Sequence, residues 1–203
     1  MLIRDKMTKN VITINVSDTL AKAEKLMQGY NIHHLPVLSG NKLSGLLSAS
    51  NIERFKQDHN EEITQNTTVK DVLPPNQRVT TIMPDVSIEQ AVMLLQNNKI
   101  GSLPVLEDGK IIGIITLTDV LNTFIDLLWT KKSRITVELG PEPGLIADIA
   151  SVIGSFNVSI LRIVMFPRPD QANCETLISL DTDDVKPIIE KLQQKGYEIR
   201  DYS

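Results

Sequence analysis

Apolar and polar residues follow the same order at two places in this chain. Residues 113–119, GIITLTD, begin with glycine, continue as an apolar run and end in a threonine and an aspartate. Residues 45–51, GLLSASN, lie 68 positions earlier and have the same construction, with an asparagine last. This order predicts a buried strand that leads directly into the first turn of a helix. The chain therefore contains two copies of one structural unit.

The offset of 68 positions continues through the rest of both copies. Each copy predicts a short strand, a helix, a strand that ends in Leu-Pro-Val, a polar turn, the glycine-led strand and a closing helix. In the second copy, Ser87 and Gln90 predict a capping box. We place the copies at residues 1–57 and 69–129, with a polar linker at residues 57–68. The matched pairs are Val11 with Val79, Thr13 with Thr81, Ile32 with Ile100, and residues 35–37 with residues 103–105.

Residues 134–203 follow a different pattern and form a third domain. The predicted order is strand, helix, strand, strand, helix, strand, which is the ferredoxin-like arrangement. Pro187 falls in the first turn of the second helix, where its missing N–H costs little. The fold class is therefore mixed α/β, of the α+β type. The predicted strands cover residues 135–139, 158–166, 175–181 and 197–200, and the helices cover residues 145–156 and 184–195.

Composition bounds the classes of function. Apolar residues make up 41% of the chain and charged residues 23%, with no apolar tract long enough to span a membrane. The formal net charge of −4 predicts no nucleic-acid partner, because phosphate binding needs a concentrated basic face. The single cysteine, Cys174, excludes an intrachain disulfide and thiolate metal sites, and it favours a cytoplasmic location.

No set of residues predicts catalysis or a metal site. The sequence has no Gly-x-Ser-x-Gly nucleophile elbow and no His, Asp and Glu set with metal-ligand spacing. His33 and His34 are adjacent on a predicted strand, so they point to opposite faces and cannot chelate one ion without a bend. We therefore expect no enzymatic activity, no catalytic cofactor and no bound metal.

The polar residues after the two glycine-led strands allow two interpretations. Ser, Thr, Asp and Asn at a strand-to-helix junction cap free backbone N–H groups. The same side chains can hold the hydroxyls of a ribose beside a helix N-terminus. Both interpretations apply to Thr116, Thr118 and Asp119, and the two roles can coexist.

The repeat resembles a tandem pair of CBS domains, because these motifs recur twice at a fixed spacing. The tail is similar to an ACT domain, with GPEPGL at residues 140–145 and FNV at residues 156–158. A CBS pair followed by an ACT domain is the layout of the acetoin-utilisation regulatory proteins of bacteria, a group that this chain resembles. The resemblance implies two CBS units paired about a pseudo-twofold axis, nucleotide-binding clefts between them, and a C-terminal ferredoxin-like ACT domain.

In the CBS family, the aspartate that ends the small-residue motif holds ribose hydroxyls, and the hydroxyl residues before it contact sugar or phosphate. The resemblance therefore implies a nucleotide site closed by Asp119 and walled by the other copy. For His33, a phosphate contact and a purely structural role remain alternatives. The implied residues are Thr13, Ile32, His33, Thr116, Thr118 and Asp119.

The resemblance also implies a second cleft, in which Asn51 stands where the family has the aspartate. Asn51 can hydrogen-bond a ribose but carries no charge, and a charge-assisted hydrogen bond is roughly twice as strong as a neutral one. We therefore expect this cleft to be the weaker nucleotide site or to stay empty. The implied residues are Ser48, Ser50, Asn51, Thr81, Ile100 and Gly101.

For the tail, the ACT resemblance implies dimerisation, metabolite sensing or both. The loop at residues 140–144 would hold an amino acid or another small metabolite near Gly144, Leu145 and Asn157. Alternatively, it is a proline-stiffened turn that presents an interface. We favour the turn, since ACT domains often only dimerise and Gly140 replaces the acidic residue that is frequent in the family.

These observations predict a cytoplasmic, homodimeric regulatory sensor. Its ligand would be an adenine nucleotide such as AMP, ADP, ATP or S-adenosylmethionine, which would act by rearranging the two copies. The alternative is a ligand-independent scaffold that assembles with a metabolic partner enzyme. Neither function involves nucleic acid or a membrane.

Overall fold

The computed structural model describes residues 1–59, 66–75, 77–128, 132–168 and 172–202, without the side chains of residues 127 and 128. Helices and strands alternate along the chain, as expected for a mixed fold. The residues form two compact units, Met1–Thr123 and Phe124–Ser203.

The elements up to residue 128 form two repeats. Repeat 1 runs from α1 to α3, and repeat 2 runs from α4 to α6. In chain order they are α1 (Ile3–Lys6), β1 (Ile14–Asn15), α2 (Leu20–Tyr30), β2 (His34–Ser39), β3 (Lys42–Ser48), α3 (Ala49–Asp58), α4 (Val69–Val72), α5 (Ile88–Asn98), β4 (Ser102–Glu107), β5 (Lys110–Thr116) and α6 (Leu117–Leu128).

The backbone confirms the predicted repeat at the level of strand register. In the antiparallel β2–β3 hairpin, His34 pairs with Ser48, and a bulge follows Val37. In the β4–β5 hairpin, Ser102 pairs with Thr116, and the bulge follows the equivalent valine. All of these positions are offset by 68. Two residues 68 apart therefore occupy equivalent places in the two repeats, and we call them equivalent residues.

Three local predictions need correction. The strands do not end at Leu-Pro-Val, because the tight turns beyond keep β2 paired to Ser39 and β4 paired to Glu107. Ser87 Oγ accepts from Gln90 N at 3.4 Å, but no reciprocal bond from the Gln90 side chain is formed. Complete capping boxes occur with shorter side chains at the third position, such as Asn51.

The linker is shorter than residues 57–68, since α3 continues to Asp58; residues 60–65 and 129 lie outside the described residues.

The two short helices are exchanged between the repeats. Helix α1 begins repeat 1, but its Ile3 is fully buried in the core of repeat 2, with Ile88 and Leu103. Helix α4 begins repeat 2, but Val69 and Val72 belong to the core of repeat 1. Each hydrophobic core is therefore completed by the other repeat, so neither core is closed by its own repeat alone.

The glycine that starts each glycine-led motif allows a short helix to approach the sheet. A Cβ atom at Gly45 would lie 2.8 Å from Leu73 Cδ1, at the end of α4. A Cβ atom at Gly113 would collide with the Met7 side chain, at the end of α1. Close packing constrains both positions, since a side chain there would require the Leu73 or Met7 side chain to move; neither glycine has a positive φ angle.

A two-residue insertion distinguishes the repeats after the short helices. The offset is 66 positions between α1 and α4 and 68 positions after them, so the prediction of 68 throughout both copies is wrong for the short helices. Thr8 and Ile114 exchange two backbone hydrogen bonds, of 2.9 and 3.0 Å. Pro74 follows α4 at the place of Thr8 and has no N–H to donate. Instead the Gln77 carboxamide makes both bonds to Leu46, accepting from its N–H at 2.9 Å and donating to its carbonyl at 3.1 Å.

The second unit contains one four-stranded antiparallel sheet, in the order β7-β8-β6-β9. Helices α7 and α8 cover a core that includes Val137, Ile153, Ile178 and Leu192. The predicted order of strands and helices is confirmed, with Pro187 in the first turn of α8. The elements are β6 (Arg134–Leu139), α7 (Leu145–Ser155), β7 (Ile160–Pro167), β8 (Cys174–Leu180), α8 (Lys186–Gln194) and β9 (Glu198–Tyr202).

The exchange of short helices predicts the effect of Ile3→Ala. Because Ile3 is fully buried in repeat 2, its truncation should lower the free energy of unfolding by about 2–5 kcal/mol. Urea denaturation measures this change. Leu2→Ala is the control, because Leu2 is exposed, and it should change the stability by less than about 0.5 kcal/mol. Equal stabilities of the two variants would contradict the exchange.

Candidate functional site

A cavity of about 430 Å³ is lined by residues of both repeats. Its volume lies within the range of about 300–1,000 Å³ that small-molecule sites occupy. We call it the first cleft. Repeat 1 contributes Thr8, Pro36, residues 10–12 and residues 31–34; repeat 2 contributes Gly101, Ile114 and residues 116–119.

Asp119 forms a capping box with Thr116 at the start of α6. Asp119 Oδ2 accepts from Thr116 N at 2.8 Å and from Thr116 Oγ1 at 2.7 Å. In return, Asp119 N donates to Thr116 Oγ1 at 3.2 Å. Asp119 Oδ1 makes no hydrogen bond to another described residue. One carboxylate oxygen therefore holds the helix, and the other remains available to hydroxyl donors.

Asn51 forms the equivalent box at the start of α3. Asn51 Oδ1 accepts from Ser48 N at 3.0 Å and from Ser48 Oγ at 2.8 Å. Ser48 Oγ also lies 2.8 Å from Ser50 Oγ. The group that remains on Asn51 is its amide NH₂, which can only donate. The starts of α3 and α6 therefore share one capping geometry. They differ in the polar group outside the capping bonds, which is an amide NH₂ on Asn51 and a carboxylate oxygen on Asp119.

The wall of the first cleft is apolar around this carboxylate. Ile12, Ile32 and Ile114 line it, and Leu117 extends it at the start of α6. No lysine or arginine is among the described residues that line the cavity. The cleft thus combines an apolar surface with one acceptor carboxylate and offers no permanent cation.

His33 and His34 both line the first cleft but have different exposure. His33 is exposed and His34 is half-buried. The prediction that they alternate on one strand is wrong, because β2 begins only at His34 and both side chains line the same cavity. The His34 ring packs against Gly101, where a Cβ atom would lie 2.8 Å from Cε1. Burial lowers the pKa of His34, and the neighbouring His33 adds to the effect. Within the described part of the chain, no group of three His, Cys, Asp or Glu side chains could hold a metal ion.

The structure brings together five of the six residues implied for the first nucleotide site. Ile32, His33, Thr116, Thr118 and Asp119 line the cavity, whereas Thr13 does not. The residues just before Thr13, at 10–12, take its place in the lining. His34 and Gly101 also line the cavity. Both adjoin implied residues in sequence, but only the folded chain puts them opposite each other.

The six residues implied for the second cleft are more dispersed. Ser48, Ser50 and Asn51 lie together at the start of α3. Thr81 lines a separate surface cavity of about 490 Å³, and the exposed side chains of Met83 and Met93 line the same cavity. Gly101 faces His34 in the first cleft, and Ile100 packs against the core of repeat 2.

In the second unit, the structure separates the three residues implied for an ACT ligand. Gly144 and Leu145 line a cavity of about 440 Å³ at the N-terminal end of α7. Gly144 adopts a φ of 92°, which glycine tolerates. Asn157 follows the other end of α7, with a φ of 57°, and is not among the residues that line this cavity. An eleven-residue helix lies between the two positions.

Comparison with known families identifies the fold of the two repeats. The family model described as CBS domain matches residues 3–58 and 69–126. These two ranges make up more than half of the chain, and the chain belongs to the CBS domain family. No helix among the described residues is long and apolar enough to cross a membrane.

Two curated relatives match somewhat more than half of this chain. A homoserine O-acetyltransferase of Methanococcus vannielii is 33% identical over 124 residues, which are 60% of this chain and 24% of that protein. An inosine-5'-monophosphate dehydrogenase of Methanocaldococcus jannaschii is 33% identical over 133 residues, which are 64% of this chain and 25% of that protein. The chain therefore spans about a quarter of the length of these relatives.

Solved structures of CBS-domain proteins resemble a similar share of the chain. AcuB from Vibrio cholerae is 29% identical, with a TM-score of 0.55, over 63% of this chain and 93% of that chain. The CBS domain pair of protein MJ0100, in complex with 5-methylthioadenosine and S-adenosyl-L-methionine, is 25% identical, with a TM-score of 0.54, over 61% and 95%. CBSX2 in complex with AMP is 25% identical, with a TM-score of 0.53, over 62% and 96%.

The lowered pKa of His34 predicts a pH dependence of stability. The folded state favours neutral His34, while the unfolded chain takes up a proton near pH 6.5. Stability from this group is therefore present above about pH 6.5 and is lost as the pH falls below it. Melting temperatures between pH 5 and pH 8 should show a smaller acid-induced decrease for His34→Asn than for the wild type.

His59→Asn is the control for this measurement, because His59 is exposed at the end of α3. It should keep the acid-induced decrease of the wild type. An unchanged pH dependence in His34→Asn would contradict the assignment to His34.

Proposed function

We propose that this chain is a cytoplasmic regulatory module, not an enzyme, that binds the adenosine part of an adenine nucleotide in the first cleft. The observation that carries the proposal is the free Oδ1 of Asp119 beside an apolar wall. Ribose hydroxyls supply the donors that this oxygen lacks, and an adenine ring supplies the flat apolar surface that matches Ile32 and Ile114.

The comparisons support this ligand class. Two of the similar CBS structures hold adenosine compounds, namely AMP in one and 5-methylthioadenosine with S-adenosyl-L-methionine in the other. The charge of the first cleft narrows the choice. Because no lysine or arginine of the described residues lines it, ligands with one phosphate group or none, such as AMP or S-adenosylmethionine, suit it better than ATP.

A regulatory effect follows from the position of the cleft. A ligand in the first cleft contacts both repeats, so it stabilises the arrangement of the repeats in which those contacts are made. It shifts the equilibrium between arrangements only by its difference in affinity for them. The exchange of α1 and α4 couples the two cores, so a change in one repeat reaches the other.

Replacing Asp119 with asparagine tests the role of its charge. Asn51 shows that asparagine forms the same capping box, so α6 should remain intact. The variant exchanges a charge-assisted bond to ribose for a neutral one, which costs about 1–2 kcal/mol. Isothermal titration calorimetry should therefore show an affinity for AMP that is roughly tenfold lower than in the wild type.

Thr118→Val and Asn51→Asp complete this experiment. Thr118→Val removes a hydroxyl from the cleft and should weaken binding without affecting the box. Asn51→Asp changes the other junction and should leave AMP binding in the first cleft unchanged. Equal affinities of the wild type and Asp119→Asn would remove Asp119 from the site. A wild type that binds no adenosine compound would favour the ligand-independent scaffold.

For the second unit, we propose an ACT-like role in homodimerisation. Its support is the edge strand β7, whose exposed side chains are largely apolar. An edge strand with unpaired backbone groups pairs readily with another strand unless charges protect it. A further role in binding an amino acid or small metabolite would use the cavity at Gly144 and Leu145. The exposed large apolar residues of β7 are Leu161, Ile163, Met165 and Phe166.

Leu161→Lys should convert the dimer to a monomer, because it places a charge on the proposed pairing edge. Sedimentation equilibrium measures the oligomeric state. Tyr202→Lys is the matched control, since Tyr202 is exposed on β9, the opposite edge of the same sheet, and it should leave the dimer intact. A monomeric wild type, or a dimeric Leu161→Lys, would contradict dimerisation through β7.

A further inference from the structure

A second cavity adjoins the first cleft in repeat 1. It has a volume of about 370 Å³ and is lined by residues of α2 and α3, and we call it the side pocket. Asn31, Ile32 and His33 line both the side pocket and the first cleft. Because Asn31 and His33 are exposed, the two cavities adjoin at a rim that is open to solvent. A ligand in the first cleft that carries a flexible tail can therefore reach the side pocket across this rim.

The side pocket is lined by charges of both signs. Lys56 Nζ lies 2.7 Å from Glu24 Oε1, and this ion pair joins α3 to α2. Glu53 also lines the pocket and is exposed, and it makes no ion pair or side-chain hydrogen bond with another described residue. The pocket therefore offers an acceptor carboxylate without a cation, close to an ammonium group on the same helix.

The helix pair does not need these charges in order to fold. In repeat 2, the equivalent residues on α5 and α6 are all apolar, although the two helices start at equivalent positions. Exposed charges on helices are common, so the charges alone would not assign a ligand. What singles them out is that they line a cavity beside the first cleft. The equivalent pairs are Glu24 with Val92, Glu53 with Leu121, and Lys56 with Phe124.

The net charge of the two cavities discriminates among adenosine compounds. Their described lining residues include three carboxylates and one lysine, so the formal charge is −2 with neutral histidines. This charge repels a phosphate group and attracts a cation. S-adenosylmethionine has a positive sulfonium and a tail that ends in an ammonium and a carboxylate. Its net positive charge fits the pair of cavities, and the two charges of its tail match Glu53 and Lys56.

We propose that the side pocket binds a zwitterionic amino-acid group attached to the adenosine in the first cleft, as in S-adenosylmethionine. The ribose stays at Asp119, and the tail crosses the rim at His33. Glu53 accepts hydrogen bonds from the ammonium of the tail, and Lys56 donates to its carboxylate. This inference rests on the proposed function, because the adenosine part must occupy the first cleft, and it narrows the ligand to adenosine compounds with an amino-acid tail.

Isothermal titration calorimetry of the full chain with four adenosine compounds tests the inference. 5-Methylthioadenosine has no amino-acid tail, S-adenosylhomocysteine has the tail without the sulfonium charge, and S-adenosylmethionine has both. S-adenosylhomocysteine should bind at least about tenfold more tightly than 5-methylthioadenosine, since the tail adds charge-assisted hydrogen bonds. S-adenosylmethionine should bind more tightly than AMP.

Glu53→Gln removes the free carboxylate at an exposed position, so folding is preserved. Its affinity for S-adenosylmethionine and S-adenosylhomocysteine should be roughly threefold to tenfold lower than that of the wild type. Its affinity for 5-methylthioadenosine should be unchanged. Asp58→Asn is the matched control, because Asp58 is exposed on the same helix and lines neither cavity. It should bind all four compounds as the wild type does.

Three results would overturn the inference and leave the proposed adenosine site intact. They are equal affinities for S-adenosylhomocysteine and 5-methylthioadenosine, AMP that binds more tightly than S-adenosylmethionine, and wild-type affinity for S-adenosylmethionine in Glu53→Gln. Free methionine that binds as tightly as S-adenosylhomocysteine would also overturn it, since the side pocket would then be a separate amino-acid site. A wild type that binds none of the four adenosine compounds would overturn the proposed function itself.

Discussion

The carboxylate of Asp119 has two oxygens, and the start of α6 uses one of them. Oδ2 accepts both hydrogen bonds from Thr116, so the side chain is held at the point where β5 becomes a helix. This fixes the position of Oδ1 relative to the apolar wall of the first cleft. Helix capping and ligand binding are therefore two uses of one side chain, and the capping box pre-organises the acceptor before a ligand arrives.

The exchange of the short helices makes this geometry depend on both repeats. Ile3 completes the core of repeat 2, and Val69 completes the core of repeat 1. Gly45 in β3 and Gly113 in β5 permit the close approach, since a Cβ atom there would meet the side chain of Leu73 or Met7. The first cleft lies between two repeats that are joined in this way, so its walls are positioned by the packing of the whole unit.

Much of this architecture could be predicted from the sequence, because both repeats have the same spacing of apolar residues. The exchange of α1 and α4 could not be predicted from the sequence. Long-range packing decides which core a four-residue helix joins, and the insertion near Gln77 changes the offset between the repeats there. The position of Thr13 outside the cleft and the distance from Gly144 to Asn157 are likewise set by the path of the backbone.

The most direct test of the account is a crystal structure of the full chain with AMP at a concentration that fills one site. The account predicts the nucleoside in the first cleft, with a ribose hydroxyl within about 2.5–3.0 Å of Asp119 Oδ1. It also predicts that the capping bonds from Thr116 to Oδ2 are unchanged. A nucleoside bound beside Asn51, with the first cleft free of ligand, would contradict it.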